Sequence, residues 1–495
     1  MKRPARFVLA LSALALAGAA GPTRATNLFV TNHVNSNEVQ GMAVWKARLA
    51  MATLGGIVTY DPATGEFEKI LQSPAGLPSN RVLCVEVSPS GSLWAGTTES
   101  GVARIKPDGT FRRTLSTFDG LPGDRVQTIY VRNDSVWVGT NAGAALLTEN
   151  PGTGRIGFTR SYTSASTSGA LAGDDVRAFL QVGDTLWCAT TSGLSSFASG
   201  AWQLRTAALS LAATSLAFHA DTLWAATALG PYAYVNGAFQ ARNAGHAFTS
   251  QVLYASTSGL YSGASLFGAY RYGGGSWSAL NTGLPSLRVT SFRETAGGDL
   301  WTGTQGGLAR LVPTGPSWEA HRSPGPLVNG TQRAIVDSRG VWIGTGNFFP
   351  PVGGRGVVLH FDGLDWSALT SSTTGGSFQQ TDDFAVLSDR SGKLWFGHCC
   401  SPGPTIPRVD RWDPATDTWD RPPAYNIWAL EQSPAGPVYG ASSDLENGVY
   451  VFDASTGALT DSLTPANSGL TSSNLRAIRF DSAGKGWIGT AFNGL

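Results

Sequence analysis

The chain has 495 residues, of which 62 are glycine and 16 are tryptophan, while only 14% are charged. This length exceeds one ordinary domain, and the charged fraction lies well below the roughly 25% of typical globular proteins. The net charge is +1, and no basic stretch is interleaved with aromatic residues, so nucleic-acid binding is excluded as a function class. Abundant glycine and aromatic residues with few charges favour an all-β protein with many turns.

Residues 1–25 are typical of a secretory signal peptide. Lys2 and Arg3 precede an apolar run from 7 to 20, and residues 23–25 offer a cleavage site between small side chains. No cysteine lies nearby to carry a lipid anchor, and no other run approaches the roughly 18 apolar residues of a membrane span. We therefore expect no membrane span in the chain and an extracytoplasmic location: periplasm, cell surface or secreted.

A Trp-x-Gly-Thr motif then recurs along the chain. Close copies occupy 93–97, 136–140, 300–304, 341–345 and 486–490. Looser copies occupy 186–190, 223–227, 253–257, 394–398 and 438–442, with a degenerate copy around Trp45. The aromatic positions are about 44 residues apart on average. A period of about 40–50 residues predicts a repeat architecture.

Each repeat contains four short apolar runs separated by Gly, Pro, Asn, Asp and Ser turns, which predicts four strands per unit. In the copy at 93–97, side-chain alternation places Trp94 and Gly96 on one face. The tryptophan offers a large apolar area to a neighbouring unit, and the glycine lets that neighbour approach. Four-stranded units with an aromatic and glycine signature predict a β-propeller; a β-solenoid, the competing repeat fold, has shorter repeats.

The complete pattern, Gly-Leu-Pro followed by an apolar run, Leu-Trp-x-Gly-Thr and Gly-Val-Ala-Arg as in 76–105, resembles the two-component-regulator propeller repeat. That family forms extracytoplasmic sensor regions of bacterial hybrid histidine kinases. It also occurs in secreted or surface propellers similar to PorZ of the type IX secretion system. The resemblance covers nearly all of residues 40–495. It implies a propeller fold, but many functions share that fold.

Eleven repeats are too many for one ring, since propellers close with about four to eight blades. Seven aromatic positions precede residues 312–326, which contain four prolines and predict a linker. We therefore expect an all-β tandem β-propeller, with a seven-bladed first ring at 26–318 and a second ring at 319–495. The last repeat stops before its third strand, so the expectation is an incomplete second ring in a truncated sequence.

Three later repeats carry insertions at 346–355, 399–407 and 443–447. All three fall between the predicted second and third strands, so they should cluster at one mouth of the second ring. Loops on a rigid scaffold often carry binding sites, although tolerated loop variation explains such insertions equally simply. The predicted ligand-binding residues are Asn347, Phe348, Phe349, Arg355, His398, Asp444 and Glu446.

No catalytic set is evident in the sequence, because the six histidines are scattered over different repeats. Cys84 and Cys188 lie in predicted strands and are interpreted as core residues, while Cys399 and Cys400 form a loop thiol pair or a vicinal disulfide. No second ligand cluster completes a metal site, and no cofactor is expected. The segments at 88–94, 389–395 and 481–487 resemble the Asp-box hairpin of sialidase-type propellers, which is structural.

The leading hypothesis is a secreted or surface, non-enzymatic propeller scaffold that recognises a glycan, another cell-envelope ligand or a protein partner. Two versions remain open: the sensor region of a two-component system, and a surface protein similar to PorZ. The second is slightly favoured, because the blades often depart from the sensor consensus. The alternative is an extracellular propeller enzyme acting on glycans, a lyase or hydrolase, which requires carboxylate, tyrosine or arginine side chains to converge at one mouth.

Overall fold

The computed structural model describes residues 35–71, 76–205, 212–246, 248–326, 331–345, 357–370, 373–378, 382–399, 409–443, 448–491 and 494. The predicted signal peptide lies outside these ranges. Within them the chain forms eleven antiparallel sheets with strands in sequence order, and the helical structure consists of one 3-10 turn, Thr117–Asp119. The all-β prediction is confirmed. No helix in the described ranges is long and apolar enough to cross a membrane.

Residues Asn35–Pro324 form one compact unit. It contains seven four-stranded sheets, called blades 1 to 7 here. Blades 1 to 4 consist of β1 (Val39–Trp45), β2 (Arg48–Thr53), β3 (Gly56–Tyr60), β4 (Phe67–Leu71), β5 (Val82–Val87), β6 (Leu93–Thr97), β7 (Val102–Ile105), β8 (Phe111–Leu115), β9 (Val126–Arg132), β10 (Ser135–Thr140), β11 (Gly143–Glu149), β12 (Ile156–Tyr162), β13 (Val176–Val182), β14 (Thr185–Thr190), β15 (Gly193–Ala198) and β16 (Ala201–Leu204). Blades 5 to 7 consist of β17 (Ala213–His219), β18 (Thr222–Thr227), β19 (Gly230–Val235), β20 (Ala238–Ala241), β21 (Ser250–Ser256), β22 (Gly259–Ala264), β23 (Gly268–Gly273), β24 (Ser276–Ala279), β25 (Val289–Glu294), β26 (Leu300–Thr304), β27 (Gly307–Leu311) and β28 (Trp318–His321).

The seven blades close into a ring. The first strand of every blade contacts the first strands of both neighbouring blades, and β1 of blade 1 contacts β25 of blade 7. Across this seam Asn37 Nδ2 donates to the Ser323 carbonyl at 3.0 Å, and the Ser323 amide donates to Asn37 Oδ1 at 2.7 Å. The ring is therefore a seven-bladed β-propeller, closed by packing and hydrogen bonds between blades and without a strand shared across the seam.

The glycine of the motif is a packing requirement. A Cβ atom on Gly96 would lie 2.5 Å from Val126 Cγ1 of the next blade. On Gly303 it would lie 2.6 Å from Val39 Cγ1, across the seam. Equivalent contacts pair Gly139 with Val176, Gly263 with Val289 and Gly397 with Ile427. We call this contact the valine notch. It confirms that the motif glycine lets the next blade approach.

The motif tryptophan fills the space beside each notch. Trp94 packs with Val126, Ile129 and Val138 of blade 3, and Trp301 lies 5.2 Å from the Tyr60 ring of blade 1, centroid to centroid. Aromatic pairs at such distances contribute about 0.5–1.5 kcal/mol beyond their buried area. The prediction that the tryptophan supplies apolar area to a neighbouring unit is confirmed.

Two of the predicted motif copies lie in the first strand of their blade, whereas the motif strand is the second. Trp45 ends β1, and the motif strand of blade 1 is β2, where Ala50 stands in the tryptophan position. Tyr254 lies in the inner strand β21, where it pairs with Tyr261 of β22. Tyr261 therefore occupies the tryptophan position of blade 6. The segment 253–257 imitated the motif because it ends in threonine, whereas the true motif strand of blade 6 ends in Ala264.

The described residues from Gly325 onward belong to a second compact unit. It contains three four-stranded sheets and one two-stranded sheet. The strands are β29 (Arg333–Asp337), β30 (Gly340–Gly344), β31 (Val358–Phe361), β32 (Trp366–Leu369), β33 (Asp382–Ser388), β34 (Leu394–Cys399), β35 (Val409–Asp413), β36 (Thr418–Asp420), β37 (Ile427–Gln432), β38 (Val438–Ser442), β39 (Val449–Phe452), β40 (Leu459–Leu463), β41 (Leu475–Phe480) and β42 (Gly486–Thr490). The insertions at 346–355, 399–407 and 443–447 lie between the second and third strands of their sheets, as predicted, except that Cys399 is the last residue of β34.

The proline-rich segment 312–326 contains a strand as well as a linker. Its residues Trp318–His321 form β28, which pairs with β27 as the outer strand of blade 7. The first compact unit accordingly ends at Pro324, six residues beyond the boundary expected at 318.

An Asp-box hairpin is present at Asp389. Its carboxylate accepts hydrogen bonds from Ser391 Oγ at 2.6 Å and from Trp395 Nε1 at 2.9 Å. It also accepts the backbone amides of Ser391 and Lys393. The carboxylate thus ties the turn to the motif tryptophan, which confirms a structural role for this segment.

In blade 2 the corresponding turn begins with Ser88, and Glu149 of blade 3 supplies the missing carboxylate. Glu149 accepts hydrogen bonds from Ser90 Oγ at 2.7 Å and Trp94 Nε1 at 3.0 Å, and it forms a buried salt bridge with Arg104 at 2.6 Å. Burial opposes its ionisation, but these hydrogen bonds outweigh burial and lower the pKa of Glu149 below its ordinary value. The pair therefore links blades 2 and 3.

Replacing Gly303 by alanine should open the valine notch at the seam. The added methyl would meet Ser291 Oγ at 2.5 Å and Val39 Cγ1 at 2.6 Å, so we expect a loss of about 2 kcal/mol in the free energy of unfolding. Urea denaturation followed by tryptophan fluorescence measures this loss. The control is Gly273→Ala in β23, where an added Cβ meets nothing within 4 Å and stability should not fall. Equal losses of stability in Gly303→Ala and Gly273→Ala would contradict the steric role of the notch.

The variant Glu149→Gln should destabilise the chain by about 3 kcal/mol near neutral pH, because it leaves the buried Arg104 without its counter-ion. A folded-state pKa below the ordinary value means that the stabilisation exists above that ordinary value and disappears as pH falls through the folded pKa. The free energies of unfolding of the wild type and of the variant should therefore become equal in strong acid. Thermal unfolding across pH measures both effects. Glu319→Gln, which removes the exposed partner of Arg310, should cost less than about 1 kcal/mol.

Candidate functional site

One end of each blade carries the start of the first strand, the turn between strands 2 and 3, and the connection from strand 4 to the next blade. This follows from the antiparallel strand order. We call this end of the seven-bladed ring the mouth face. Its centre is bordered by the first residues of the seven inner strands, because these strands surround the axis.

Every inner strand of the ring has a β-bulge next to its first paired residue. Bulges re-aim side chains and are frequent beside functional sites. The seven bulged residues are Gln40, Leu83, Gln127, Arg177, Thr214, Gln251 and Thr290. Because the bulge recurs in all seven blades, these residues form a ring around the axis.

A second ring consists of the residues immediately before the inner strands. These are Glu38, Arg81, Arg125, Asp175, Ala212, Thr249 and Arg288. We call the two rings together the axial mouth. It contains four arginines against two carboxylates, so its formal charge is positive.

Glu38 is a partly buried carboxyl group in the axial mouth. It accepts a hydrogen bond from Asn35 Nδ2 at 3.2 Å, and the guanidinium groups of Arg288 and Arg81 act on it from the two neighbouring blades. Burial nevertheless outweighs these favourable interactions and raises the pKa of Glu38 above its ordinary value. A carboxylate that is costly to ionise and faces two arginines is typical of functional sites.

On the other side of the axial mouth, the Asp175 carboxylate accepts hydrogen bonds from residues of two blades. Gln127 Nε2 of blade 3 donates to Asp175 Oδ1, and Arg177 Nη2 of its own blade lies 2.6 Å from Asp175 Oδ2. Both donors are bulged residues. The bulges therefore bring polar side chains of adjacent blades together at the axis.

A salt bridge lies deeper along the axis. Arg293 of blade 7 contacts Glu86 of blade 2, with Nη2 and Oε1 3.1 Å apart. The two blades are neighbours of blade 1, whose residue at the same register position is Ala43. The small alanine leaves room for the pair to meet across blade 1. The axial mouth thus has charged groups at its floor as well as its rim.

Another depression lies at the outer part of the seam between blades 1 and 7. It has a volume of about 760 Å³ and is lined by Arg48, Phe67, Glu68, His321 and others. Several of its polar groups already have partners: Arg48 pairs with Glu68 at 2.9 Å, and His321 Nδ1 lies 2.9 Å from the Tyr60 hydroxyl. This cleft is therefore a weaker candidate than the axial mouth.

The seven residues predicted from the insertions have different outcomes. Asn347, Phe348, Phe349, Arg355, Asp444 and Glu446 lie outside the described residues, and their role in binding stays a prediction. His398 lies within β34, not in a loop, and it is fully buried. Its Nε2 atom lies 3.2 Å from Asp410 Oδ2, and Arg421 donates to the other oxygen of that carboxylate. Cys399 also belongs to β34.

Within the described ranges, no three His, Cys, Asp or Glu residues lie close enough together to hold a metal ion. Cys84 and Cys188 lie in β5 and β14 as predicted, with free thiols. Burial raises the pKa of the Cys84 thiol to about 12, which makes it unreactive. These cysteines therefore belong to the packing of the blades.

Sequence reasoning missed the axial mouth. The available signal was the arginine directly before the first valine of the inner strand, in Asn-Arg-Val at 80–82, Asp-Arg-Val at 124–126 and Leu-Arg-Val at 287–289. Each follows Gly-Leu-Pro by a fixed short interval. The bulge that brings these residues to the axis has no separate sequence signature, so periodicity alone could not place them.

Replacing Glu38 by glutamine should stabilise the protein at neutral pH, which is the opposite of an ordinary ion-pair deletion. Because the folded-state pKa is raised, wild-type stability falls as pH rises from the ordinary carboxyl value through the folded pKa. We expect the melting temperature of Glu38→Gln to exceed that of wild type by about 2 °C near pH 7, with the difference vanishing in acid. Differential scanning calorimetry across pH measures it. A lower melting temperature at neutral pH would contradict the assignment.

Comparison with known proteins supports the fold. No protein-family profile and no curated protein sequence matches the chain. PorZ, a surface component of the type-IX secretion system of Porphyromonas gingivalis, superposes with a TM-score of 0.59 at 15% identity, over 93% of this chain and 72% of PorZ. An ancestral GH74 enzyme gives 0.62 at 14% identity, over 85% and 68%. The extracellular domain of a protein described as a hybrid two component system from B. thetaiotaomicron gives 0.46 at 17% identity.

That last match covers 92% of this chain and 62% of the other, so the chain spans less than two thirds of that relative. At these identities the similarities to PorZ and to the GH74 enzyme support the propeller fold and establish no activity.

Proposed function

We propose that the chain is an extracytoplasmic, non-enzymatic recognition scaffold whose seven-bladed ring binds an anionic group of its ligand at the axial mouth. The observation that carries the proposal is the position of four arginines from four blades at the starts of the inner strands: Arg177 is a bulged residue, and Arg81, Arg125 and Arg288 directly precede an inner strand. A concave site lined by one excess charge sign focuses the field and attracts ligands of opposite sign. The guanidinium fork matches carboxylate and phosphate geometry.

The electrostatics of Glu38 support binding over a structural role. Burial disfavours the ionised form of this carboxyl group, and carboxyl groups perturbed in this way by burial and by neighbouring charges cluster at functional sites. At the axial mouth Glu38 interacts electrostatically with Arg81 and Arg288 and limits the net positive charge. A ligand carboxylate or phosphate would then complete the charge balance of these arginines.

An extracytoplasmic location rests on the N-terminal sequence, which is typical of a signal peptide. The fold similarity to a surface component and to an extracellular domain agrees with this location. We further propose that the chain is divided into the signal peptide, the seven-bladed propeller ending at Pro324, and a second propeller domain. The second-ring insertions at 346–355, 399–407 and 443–447 are proposed as an additional ligand-binding surface.

Loss of the mouth arginines should weaken ligand binding. The full chain is tested on an array carrying neutral glycans, uronic-acid and phosphorylated glycans, and acidic peptides. We expect retention of anionic ligands, and we expect the double variant Arg81→Ala/Arg125→Ala to bind about tenfold more weakly, since each exposed ion pair contributes somewhat less than 1 kcal/mol. Biolayer interferometry of the retained ligand at rising salt measures the change, which screening should reduce.

The matched control is Lys46→Ala/Arg155→Ala, which removes two exposed cations from turns at the opposite end of the ring. It should bind as wild type does. Equal binding by both double variants would refute the axial mouth as the site. If the purified chain cleaves a polysaccharide on the array and Glu38→Gln abolishes cleavage, the non-enzymatic assignment is wrong and the glycan-active alternative is supported.

A further inference from the structure

The mouth face carries an exposed apolar surface beside the axial mouth. Five large apolar side chains lie on the mouth-face connections of blades 5 to 7: Leu229, Phe248, Leu266, Phe267 and Leu287, exposed by 54%, 41%, 42%, 41% and 47%. We call this set the apolar arc. Single exposed apolar side chains are ordinary, but contiguous ones mark interaction sites.

The apolar arc is contiguous. The rings of Phe248 and Phe267 stack with centroids 4.0 Å apart and planes 16° from parallel. Thr249 Oγ1 donates to the Ala228 carbonyl at 3.2 Å, which places Phe248 beside Leu229. The Gly268 amide donates to the Leu287 carbonyl at 2.9 Å, which places Phe267 beside Leu287. Side chains from three blades therefore form one continuous surface.

The surroundings of the apolar arc are basic. Its four segments, residues 228–230, 242–249, 265–267 and 280–288, contain Arg242 and Arg288 but no Asp or Glu. Arg288 joins the arc to the axial mouth: its Nε donates to the Ser265 carbonyl at 3.3 Å, and its Nη1 donates to Gln305 at 3.3 Å. Both acceptors are neutral, and Glu38 of the neighbouring blade acts on the guanidinium electrostatically. The guanidinium has five N–H donors, more than these two hydrogen bonds use, so it can also take a carboxylate from a partner.

We propose that the apolar arc and Arg288 dock an acidic segment of a protein partner, with aliphatic or aromatic side chains on the arc and a carboxylate at Arg288. This deepens the proposed function and rests on it. Leucine and phenylalanine offer no hydrogen bonds to the hydroxyl groups of a glycan, so the arc favours apolar side chains of a protein partner. The arc side chains are also half-buried, so they offer a membrane less apolar area than fully exposed side chains would.

A display library of random twelve-residue peptides, selected on the full chain, tests the proposal. Enriched peptides should combine acidic with aliphatic or aromatic residues. Their affinity should fall about tenfold in Phe267→Ser/Leu287→Ser, which removes much of two exposed apolar contacts. Leu229→Ser/Leu266→Ser provides a second arc variant if the first fails to fold, as monitored by its melting temperature. In Arg288→Gln the preference for acidic over neutral peptides should disappear.

The matched control is Phe118→Ser, which removes a side chain that is 98% exposed and lies outside the arc, between blades 2 and 3. It should bind the peptides as wild type does. If the peptides bind the arc variants unchanged but fail on Arg81→Ala/Arg125→Ala, the arc proposal is overturned while the axial mouth stands. If phosphatidylglycerol vesicles bind the chain and displace the peptides, the arc is a membrane surface and the proposal is likewise overturned. Selection of only neutral or basic peptides also overturns it.

Discussion

The spacing of the blades in the first ring depends on the contact between the motif strand of one blade and the start of the next inner strand. At four of the seven interfaces this contact is the valine notch, in which the first valine of the inner strand sits against the glycine of the preceding blade. An added Cβ at Gly96, Gly139, Gly263 or Gly303 would come within 2.7 Å of side-chain atoms, a separation that packed interiors do not tolerate without strain. The contact between blades 7 and 1 is the same as that between blades 2 and 3, 3 and 4, and 6 and 7. Closure therefore needs no shared strand, because the seam repeats a contact that also spaces consecutive blades.

The notch also explains how a packing motif positions a functional site. Val82 is held against the preceding blade, and its two chain neighbours are Arg81 and the bulged Leu83. Val289 is held in the same way between Arg288 and the bulged Thr290, whose hydroxyl donates to the Val39 carbonyl at 2.6 Å. In both blades a fully buried valine between two axial residues fixes the place of both. The axial mouth is therefore rigid where it is most polar.

Periodicity was sufficient to predict the fold because Trp and Gly have a packing role that tolerates few alternatives. It failed where that role passed to other residues: Ala50 in blade 1 and Tyr261 in blade 6 left no recognisable copy, and Tyr254 imitated one. The site was harder to predict. Glu38, Arg81 and Arg288 are far apart in sequence, and only ring closure makes Glu38 the neighbour of both. Glu149 of blade 3 takes the place of the Asp-box carboxylate in the turn of blade 2. This role could not be predicted either, because the two segments meet only in the folded ring.

The repeats are alike in their packing residues and different in the residues beside them, which lets one ring present unlike surfaces. The mouth-face connections of blades 2 to 4 contain carboxylates, including Asp119, Asp124 and Asp174, whereas those of blades 5 to 7 contain the apolar arc and arginines. Such asymmetry costs little stability, since the notch and the tryptophan contacts do not involve these positions. The mouth face therefore has an acidic side, a basic centre and an apolar side, and this polarity would fix the orientation of the proposed ligand.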